Sequence, residues 1–314
     1  MKGEREGMGL EKDQAEVKEP GKGQSEMEEL YLSYKGYAFS IAYRLLGVVA
    51  DAEDAVQDSF MELQRRGLGG IENLKAYLAK SITNRCLNQL QSARSRRETY
   101  IGEWLPEPLI EAYDSPEAAA ERNDTLSYAF LVLLERFTPV ERAVFVLREV
   151  FEYDYESIAD MVDKSAAACR QIFSRASRNF KAAFSAEQGG AAAGPSRTVL
   201  LKRFTAAFEA YDVGAMLELL AEQPVLIADG GGQEVHTILR PMAGQRGVLA
   251  LLTSHRVLRE LRSWQSEIVR INGEPNLLFR QDGEVAGMLC LEFTGDKIQQ
   301  LYLIVEPDKL RTFG

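Results

Sequence analysis

The feature that most constrains this chain is a pair of short helical patterns, joined by a polar corner, between residues 153 and 184. Apolar residues of the first pattern recur at the spacing of one helix face. Ser165, just after the corner, is suited to cap a second helix. From Lys164 to Lys181 that second helix carries basic side chains and no acidic ones, and its arginines lie off the apolar stripe. The pattern predicts a helix-turn-helix that contacts DNA, and the alternative is the solvated face of an ordinary helical hairpin.

The outer face of the second helix carries side chains that suit base edges and phosphates. Arginine can contact guanine with two hydrogen bonds, glutamine can do the same with adenine, and a small serine lets the backbone approach the groove. The candidate DNA-contacting residues are Arg170, Gln171, Ser174, Arg175 and Arg178.

Composition limits where nucleic acid can bind, because the 314 residues carry a formal net charge of −10 and any contact must therefore be local. That length suggests two or three domains, and 46% hydrophobic residues are enough to form real cores. The three cysteines are far apart, and with only His236 and His255 to add, the spacing of zinc ligands is absent. We therefore expect no metal and no cofactor. Since no apolar run is long enough to span a bilayer, we expect a cytoplasmic protein with no membrane contact.

Two linkers divide the chain. Residues 98–124 carry eight acidic residues and one basic residue, and prolines within them exclude a long helix. We interpret this segment as an extended acidic linker. The small, turn-rich sequence QGGAAAGPS at residues 188–196 marks the last domain boundary.

The first domain is predicted to be helical, with an acidic outer face on its second helix formed by Asp51, Asp54, Gln57 and Asp58. Such a face suits a basic protein partner, although simple solubility is the alternative. A third helix, from about Asn73 to Arg97, is predicted to expose basic side chains and side-chain amides. The loop before it contains three glycines and two arginines. These features suit a nucleic-acid backbone and an unstacked base. The candidate residues are Arg65, Arg66, Lys80, Asn84, Asn88, Gln91, Arg94, Arg96 and Arg97.

The C-terminal part predicts helices followed by strands, which we expect to form a curved antiparallel sheet with a pocket. Catalysis would need a carboxylate or histidine in that pocket. Asp229, His236 and His255 are weak candidates, because Asp229 stands in an Asp-Gly turn and either histidine suits a surface or core position equally well.

Two segments carry a family resemblance. SIAYRLLGVVADAEDAVQDSF resembles region 2 of extracytoplasmic-function sigma factors, the group IV proteins of the sigma-70 superfamily, and TPVERAVFVLREVFEYDYESIADMVDKSAAACRQIFSRA resembles their region 4. Three further motifs resemble the subgroup with a fused C-terminal SnoaL-like domain, of the NTF2-like class. That subgroup often has lysine where this chain has Gln233, and asparagine where it has Glu306. The three motifs are residues 104–109, 229–232 and 307–310. The residues with an implied regulatory interdomain role are Trp104, Leu105, Pro106, Glu107, Pro108, Leu109, Asp229, Gly230, Gly231, Gly232, Asp308 and Lys309.

The resemblance implies a multidomain fold: two all-α sigma domains, a helical bundle and a helix-turn-helix, followed by an α+β domain with a curved sheet. The implied boundaries are a disordered extension at 1–24, region 2 at 25–97, the acidic linker at 98–124, region 4 at 125–187, a flexible linker at 188–196 and the SnoaL-like domain at 197–314.

The implied partners are the RNA polymerase core, whose beta-prime coiled coil would take the acidic face, and promoter DNA. Regulation would act in cis, so no dedicated anti-sigma factor is implied, and whether a small ligand occupies the C-terminal pocket is open. We predict a sigma factor and not an enzyme. The alternatives are a stand-alone helix-turn-helix regulator and a SnoaL-like enzyme or ligand-binding module with a DNA-binding appendage.

The net charge of the linker suggests a further hypothesis. In the free protein the acidic linker, with Glu103, Glu107 and Glu111, would be attracted to the basic faces of the two DNA-binding units and would mask those faces. On polymerase the linker would enter positively charged channels and release the arginine surfaces for promoter DNA.

Overall fold

The computed structural model describes residues 22–97, 100, 102–110, 127–187, 196–231, 240–254 and 263–311; within its helices the side chains of residues 22–25, 93–97 and 183–187 are not described. No helix in these ranges combines the length and apolar character that crossing a membrane requires. The helical part comprises α1 (Lys22–Leu46), α2 (Val49–Arg66), α3 (Leu74–Arg97), α4 (Tyr128–Leu134), α5 (Pro139–Glu149), α6 (Tyr155–Val162) and α7 (Ala166–Glu187). The C-terminal part comprises α8 (Arg197–Glu209), α9 (Val213–Leu219), β1 (Leu220–Asp229), β2 (Met242–Ala243), α10 (Gln245–Leu252), β3 (Gln265–Ile271), β4 (Glu274–Gln281), β5 (Glu284–Thr294), β6 (Lys297–Ile304) and α11 (Pro307–Leu310).

Local capping signals set where α5 and α7 begin. Thr138 and Glu141 form a reciprocal capping box at the start of α5, with a proline in its first turn. The Ser165 hydroxyl accepts a hydrogen bond from the Ala168 backbone N–H at 3.2 Å, so it caps α7. Asp163 has a φ of 52°, which turns the chain between α6 and α7. The helix-turn-helix predicted from the sequence is therefore present.

The helices before and after the acidic linker share one hydrophobic core. Leu45 of α1, Ile82 of α3, Val146 of α5 and Ile158 of α6 are all fully buried in the same cluster. Helix α1 packs against α5, and α3 packs against both α5 and α6. The two helical units are therefore held face to face.

The C-terminal sheet has six strands in the order β2-β1-β6-β5-β4-β3. Neighbouring strands are antiparallel except β1 and β6, which run parallel. The expectation of a wholly antiparallel sheet was wrong at this one pair, because the chain returns to the edge of β1 only after passing through β3, β4 and β5. Both tight turns of the β3–β4–β5 meander have positive φ at their two central residues, as two-residue hairpin turns require.

The two faces of the sheet are covered by different parts of the chain. One face packs against the domain's own helices through residues such as Leu201, Phe204 and Val248. The opposite face packs against the linker and α4. All seven residues of α4, YAFLVLL, are buried. Because a helix that is apolar all round must be covered on every side, α4 lies between the sheet and the helical core.

Candidate functional sites

The linker segment 102–110 lies at the meeting point of the three structural units. Leu105 and Glu107 are buried, and Leu105 belongs to the core between α4 and the sheet. The Tyr128 hydroxyl of α4 donates to the Pro106 carbonyl oxygen at 2.6 Å. Burial raises the pKa of Tyr128 well above its usual value, so the hydroxyl remains a donor. The segment predicted as an extended acidic linker is therefore a packed part of the structure at these residues.

Asp229, at the end of β1, forms a buried ion pair with Lys309 of α11 and accepts a hydrogen bond from the linker. Its Oδ2 accepts from the Leu105 backbone N–H at 2.8 Å and from the Lys309 ammonium at 2.5 Å. Lys309 also donates to the Leu105 carbonyl oxygen at 2.6 Å, and its Nζ lies 4.4 Å from the centre of the Trp104 ring. Asp229 is 0% exposed and Lys309 9% exposed, so both charges depend on these partners. We call this group the Asp229 junction.

Tyr100, Gly231 and Glu306 complete the Asp229 junction. The Tyr100 hydroxyl donates to Asp229 and also lies 2.8 Å from Oε2 of Glu306. Burial and these two carboxylates raise the pKa of Tyr100 well above its usual value. Gly231 has a φ of 79°, and a Cβ there would lie 2.9 Å from the Glu306 carboxylate. The left-handed φ therefore favours glycine at this position, and a larger residue would also have to displace the end of the Glu306 side chain.

Asn272 forms a second contact between the sheet and the linker. Its backbone N–H donates to the Leu109 carbonyl oxygen at 2.8 Å, and its Oδ1 accepts from the Leu109 N–H at 3.0 Å. Its Nδ2 donates to the Tyr43 hydroxyl of α1 at 3.0 Å. In the sequence, the pair Asn272-Gly273 indicates only a tight turn between two strands. Asparagine tolerates the left-handed φ of 50° found here, and its amide reaches two partners at once.

The remaining motif residues divide between buried and exposed positions. Gly230 and Pro108 are buried, and Gly232 lies outside the described residues. Asp308 is exposed and pairs with Arg311 at 3.1 Å, so it does not join its neighbour Lys309 at the junction. The structure thus brings Trp104, Leu105, Asp229 and Lys309 together and leaves Asp308 outside.

The Asp229 side chain faces the linker. Both of its oxygens are engaged by junction groups, which leaves the candidate general base no opening toward a substrate. His236 and His255 lie outside the described residues. Within the part of the chain that the structure describes, no group of three His, Cys, Asp or Glu side chains is placed to share a metal ion.

The acidic face predicted on α2 is present and largely exposed. Asp54, Gln57 and Asp58 are exposed and Asp51 is half-buried. Arg85 of α3 lies beside this face, 3.3 Å from Asp58 and 2.5 Å from Glu62. Sequence reasoning missed Arg85, whose charge partly neutralises one end of the face.

The predicted DNA-contacting side chains of α3 and its preceding loop are only partly accessible. The Lys80 ammonium pairs with Asp160 of α6 at 2.7 Å. A cleft of about 270 Å³ lies between the loop and α6, with Arg66 and Lys80 among its lining residues. The Arg66 guanidinium lies over the Tyr77 ring. Exposed members of the set are Arg65, Arg66, Asn84, Asn88 and Gln91, and the side chains of Arg94, Arg96 and Arg97 are outside the described set.

All five candidate DNA-contacting residues of α7 lie on its exposed face. Arg175 pairs with Glu141 at 2.8 Å, and the Arg170 guanidinium lies over the Tyr155 ring and 3.8 Å from Glu156. These side chains are held at the surface by neighbours on α5 and α6. The face on α7 is therefore open in the same structure in which Lys80 is paired.

Comparison with known proteins agrees with this division of the chain. The Sigma-70 region 2 family matches residues 30–96 and the Sigma-70 region 4 family matches residues 127–179. The chain is 33% identical to the extracytoplasmic-function (ECF) RNA polymerase sigma factor SigJ of Mycobacterium tuberculosis over 230 residues, which cover 73% of this chain and 71% of the relative. It is 28% identical over 286 residues to a probable ECF sigma factor, SigI, of the same species, covering 88% of this chain and 92% of the relative. The crystal structure of M. tuberculosis SigJ superposes with a TM-score of 0.72 at 26% identity, covering 90% of this chain and 98% of that one.

Proposed function

Because the chain belongs to the extracytoplasmic-function family of RNA polymerase sigma factors, we propose that its C-terminal domain holds two promoter-binding units closed until core polymerase binds. As a sigma factor it is a transcription regulator rather than an enzyme, and the enzyme alternative is not favoured. The fold supports the predicted class, with helical sigma domains followed by a mixed-sheet domain.

The polymerase-binding surface in this proposal is the exposed face of α2. Asp54, Gln57 and Asp58 are accessible there, while the opposite side of the helix is buried in the shared core. An acidic face beside a rigid core suits a basic coiled coil of the polymerase.

Promoter DNA would be bound by two surfaces with different accessibility. The exposed face of α7 suits the major groove of an upstream element. The loop and α3 suit the melted element nearer the start site, where a base leaves the stack. In this structure α6 lies against the second surface at Lys80, whereas the face of α7 is exposed.

The observation that carries the proposal is the ion pair between Lys80 and Asp160. It puts an acidic residue of the second sigma unit on the DNA-contacting face of the first. Lys80 must give up this partner before its ammonium can meet a phosphate, and separation of the two units would remove the partner altogether. The C-terminal domain binds both the linker and α4. It therefore favours, within the same chain, the arrangement in which the two sigma units are packed together, with no separate anti-sigma protein.

Run-off transcription with purified bacterial core polymerase and a library of promoter sequences tests the sigma-factor function. We expect transcripts that depend on both the core enzyme and this chain. Absence of any core-dependent transcript, with the chain folded, contradicts the proposal.

We expect Asp160→Asn to increase transcript yield at limiting core polymerase by about 1.5- to fivefold, the range that corresponds to loss of one exposed ion pair. The substitution frees Lys80 without altering the DNA-contacting residue itself. Asp163→Asn is the matched control, because Asp163 is an exposed acid at the end of the same helix and asparagine tolerates its φ of 52°. An equal increase in both variants, or none in Asp160→Asn, contradicts the role of this pair.

A further inference from the structure

Helix α2 begins without a cap of its own. Its N-cap residue is Val48, which has the extended backbone suited to a cap, φ −133° and ψ 127°, but makes no side-chain capping hydrogen bond. Valine has no acceptor, and it is among the least favoured residues at this position. The first backbone N–H groups of α2 therefore need an acceptor from elsewhere.

Glu107 supplies that acceptor from 58 residues away in the sequence. Its Oε2 accepts from the Val49 backbone N–H at 2.7 Å, and the residue is only 5% exposed. A carboxylate at the start of a helix also meets the positive end of the helix dipole. The self-masking hypothesis expected Glu107 to face a basic surface; in the structure it faces the end of α2.

The backbone of Glu107 is fixed on both sides by the end of α1. Its N–H donates to the Gly47 carbonyl oxygen at 2.7 Å, and its carbonyl oxygen accepts from the Tyr43 hydroxyl at 2.7 Å. Gly47 has a φ of 70°, and a Cβ there would lie 3.2 Å from the Trp104 ring. Tyr43 in turn accepts from Asn272 of the C-terminal domain. These contacts orient the Glu107 carboxylate toward α2, and the C-terminal domain contributes to them through Asn272.

We propose that Glu107 is a positioning residue that caps α2 from a distant part of the same chain and thereby preorganises the polymerase-binding helix. The inference rests on the proposed role of the α2 face and extends it to a residue that does not itself touch polymerase. Docking of the linker on the start of α2 and binding of polymerase to α2 then strengthen each other, because a coupling between two binding events is reciprocal. Residue 107 stays on α2 in the polymerase complex, while α6 moves away from Lys80. The packing of linker residue Glu107 against α2 therefore favours polymerase binding. The packing of α6 against α3 opposes promoter binding.

The test compares Glu107→Ala with a variant that restores a cap locally. In Glu107→Ala we expect amide hydrogen exchange in the first turn of α2 to accelerate at least tenfold and affinity for core polymerase to fall about three- to tenfold, as loss of one cap implies. Adding Val48→Ser gives α2 its own cap and should return both quantities to within about twofold of the unaltered protein. Glu103→Ala, at a half-exposed acid of the same segment, is the matched control and should change neither.

Each other outcome overturns a distinct part of the inference. Unchanged exchange in Glu107→Ala shows that the cap does not form in solution. Weaker polymerase binding that Val48→Ser does not restore shows that Glu107 acts by a route other than capping. Faster exchange with unchanged affinity shows that the cap does not position the binding face. If the unaltered chain is protected at α2 but does not bind core polymerase at all, the proposed function fails and the cap does not.

Discussion

Replacing Asp229 with alanine lowers the free energy of unfolding by about 3 to 5 kcal/mol, the cost of leaving a buried charge without its partner. Lys309 would keep its ammonium in a buried site, beside the Leu105 carbonyl oxygen and the Trp104 ring, without the Asp229 carboxylate. The Leu105 N–H would also lose its acceptor. Urea unfolding at neutral pH, followed by the fluorescence of Trp104 and Trp264, measures the change.

Two control variants separate the ion pair from general damage. Removing both charges, with Asp229→Asn and Lys309→Met, should recover most of the lost stability, because neither buried charge remains. Asp308→Ala breaks the adjacent exposed ion pair between Asp308 and Arg311, whose side chains are 73% and 78% exposed. It should lower the free energy of unfolding by less than about 0.5 kcal/mol. Asp229→Ala with the stability of the unaltered protein would contradict the buried-pair account.

Reversing two charges on α2, with Asp54→Lys and Asp58→Lys, weakens binding to core polymerase by about 100-fold or more. Like charges brought together at an interface cost several kcal/mol, and about 1.4 kcal/mol corresponds to a factor of ten. Both side chains are exposed, so the fold itself should be unaffected. Titration of labelled protein with purified core polymerase measures the dissociation constant.

A matched charge reversal tests whether net charge alone explains the loss. Glu222→Lys with Glu284→Lys makes the same change at exposed positions of the C-terminal sheet. We expect this variant to bind core polymerase within about twofold of the unaltered chain, because distant exposed charges are largely screened at physiological salt. Equal losses in the two variants would remove the α2 face from the account.

Local signals in the sequence predicted the parts of the fold that local physics determines. The capping box at Thr138, the serine cap at Ser165 and the hairpin turn at Asn272 each act within a few residues, so their consequences can be derived from a short window. The basic face of α7 follows in the same way from helical spacing. The family resemblance rests on motifs that coincide with these local patterns.

The contacts that define the interdomain site could not be predicted, because they join residues far apart in sequence. Nothing within a short window indicates that Glu107 caps α2 or that Asp160 pairs with Lys80. The parallel pairing of β1 with β6 likewise depends on the path of the intervening chain. One signal was available, since a helix as apolar as α4 must be covered on every side, and a second core was needed to cover it.

The central claim is that the two sigma units are packed together in the free protein and separate when core polymerase binds. Labels at Ser92→Cys of α3 and Asn179→Cys of α7 report this directly, because both positions are exposed and the native cysteines Cys86, Cys169 and Cys290 are buried. We predict one narrow distribution of the inter-label distance in the free chain and a clearly longer distance in a transcribing complex with core polymerase. The same distance in both states would contradict the account.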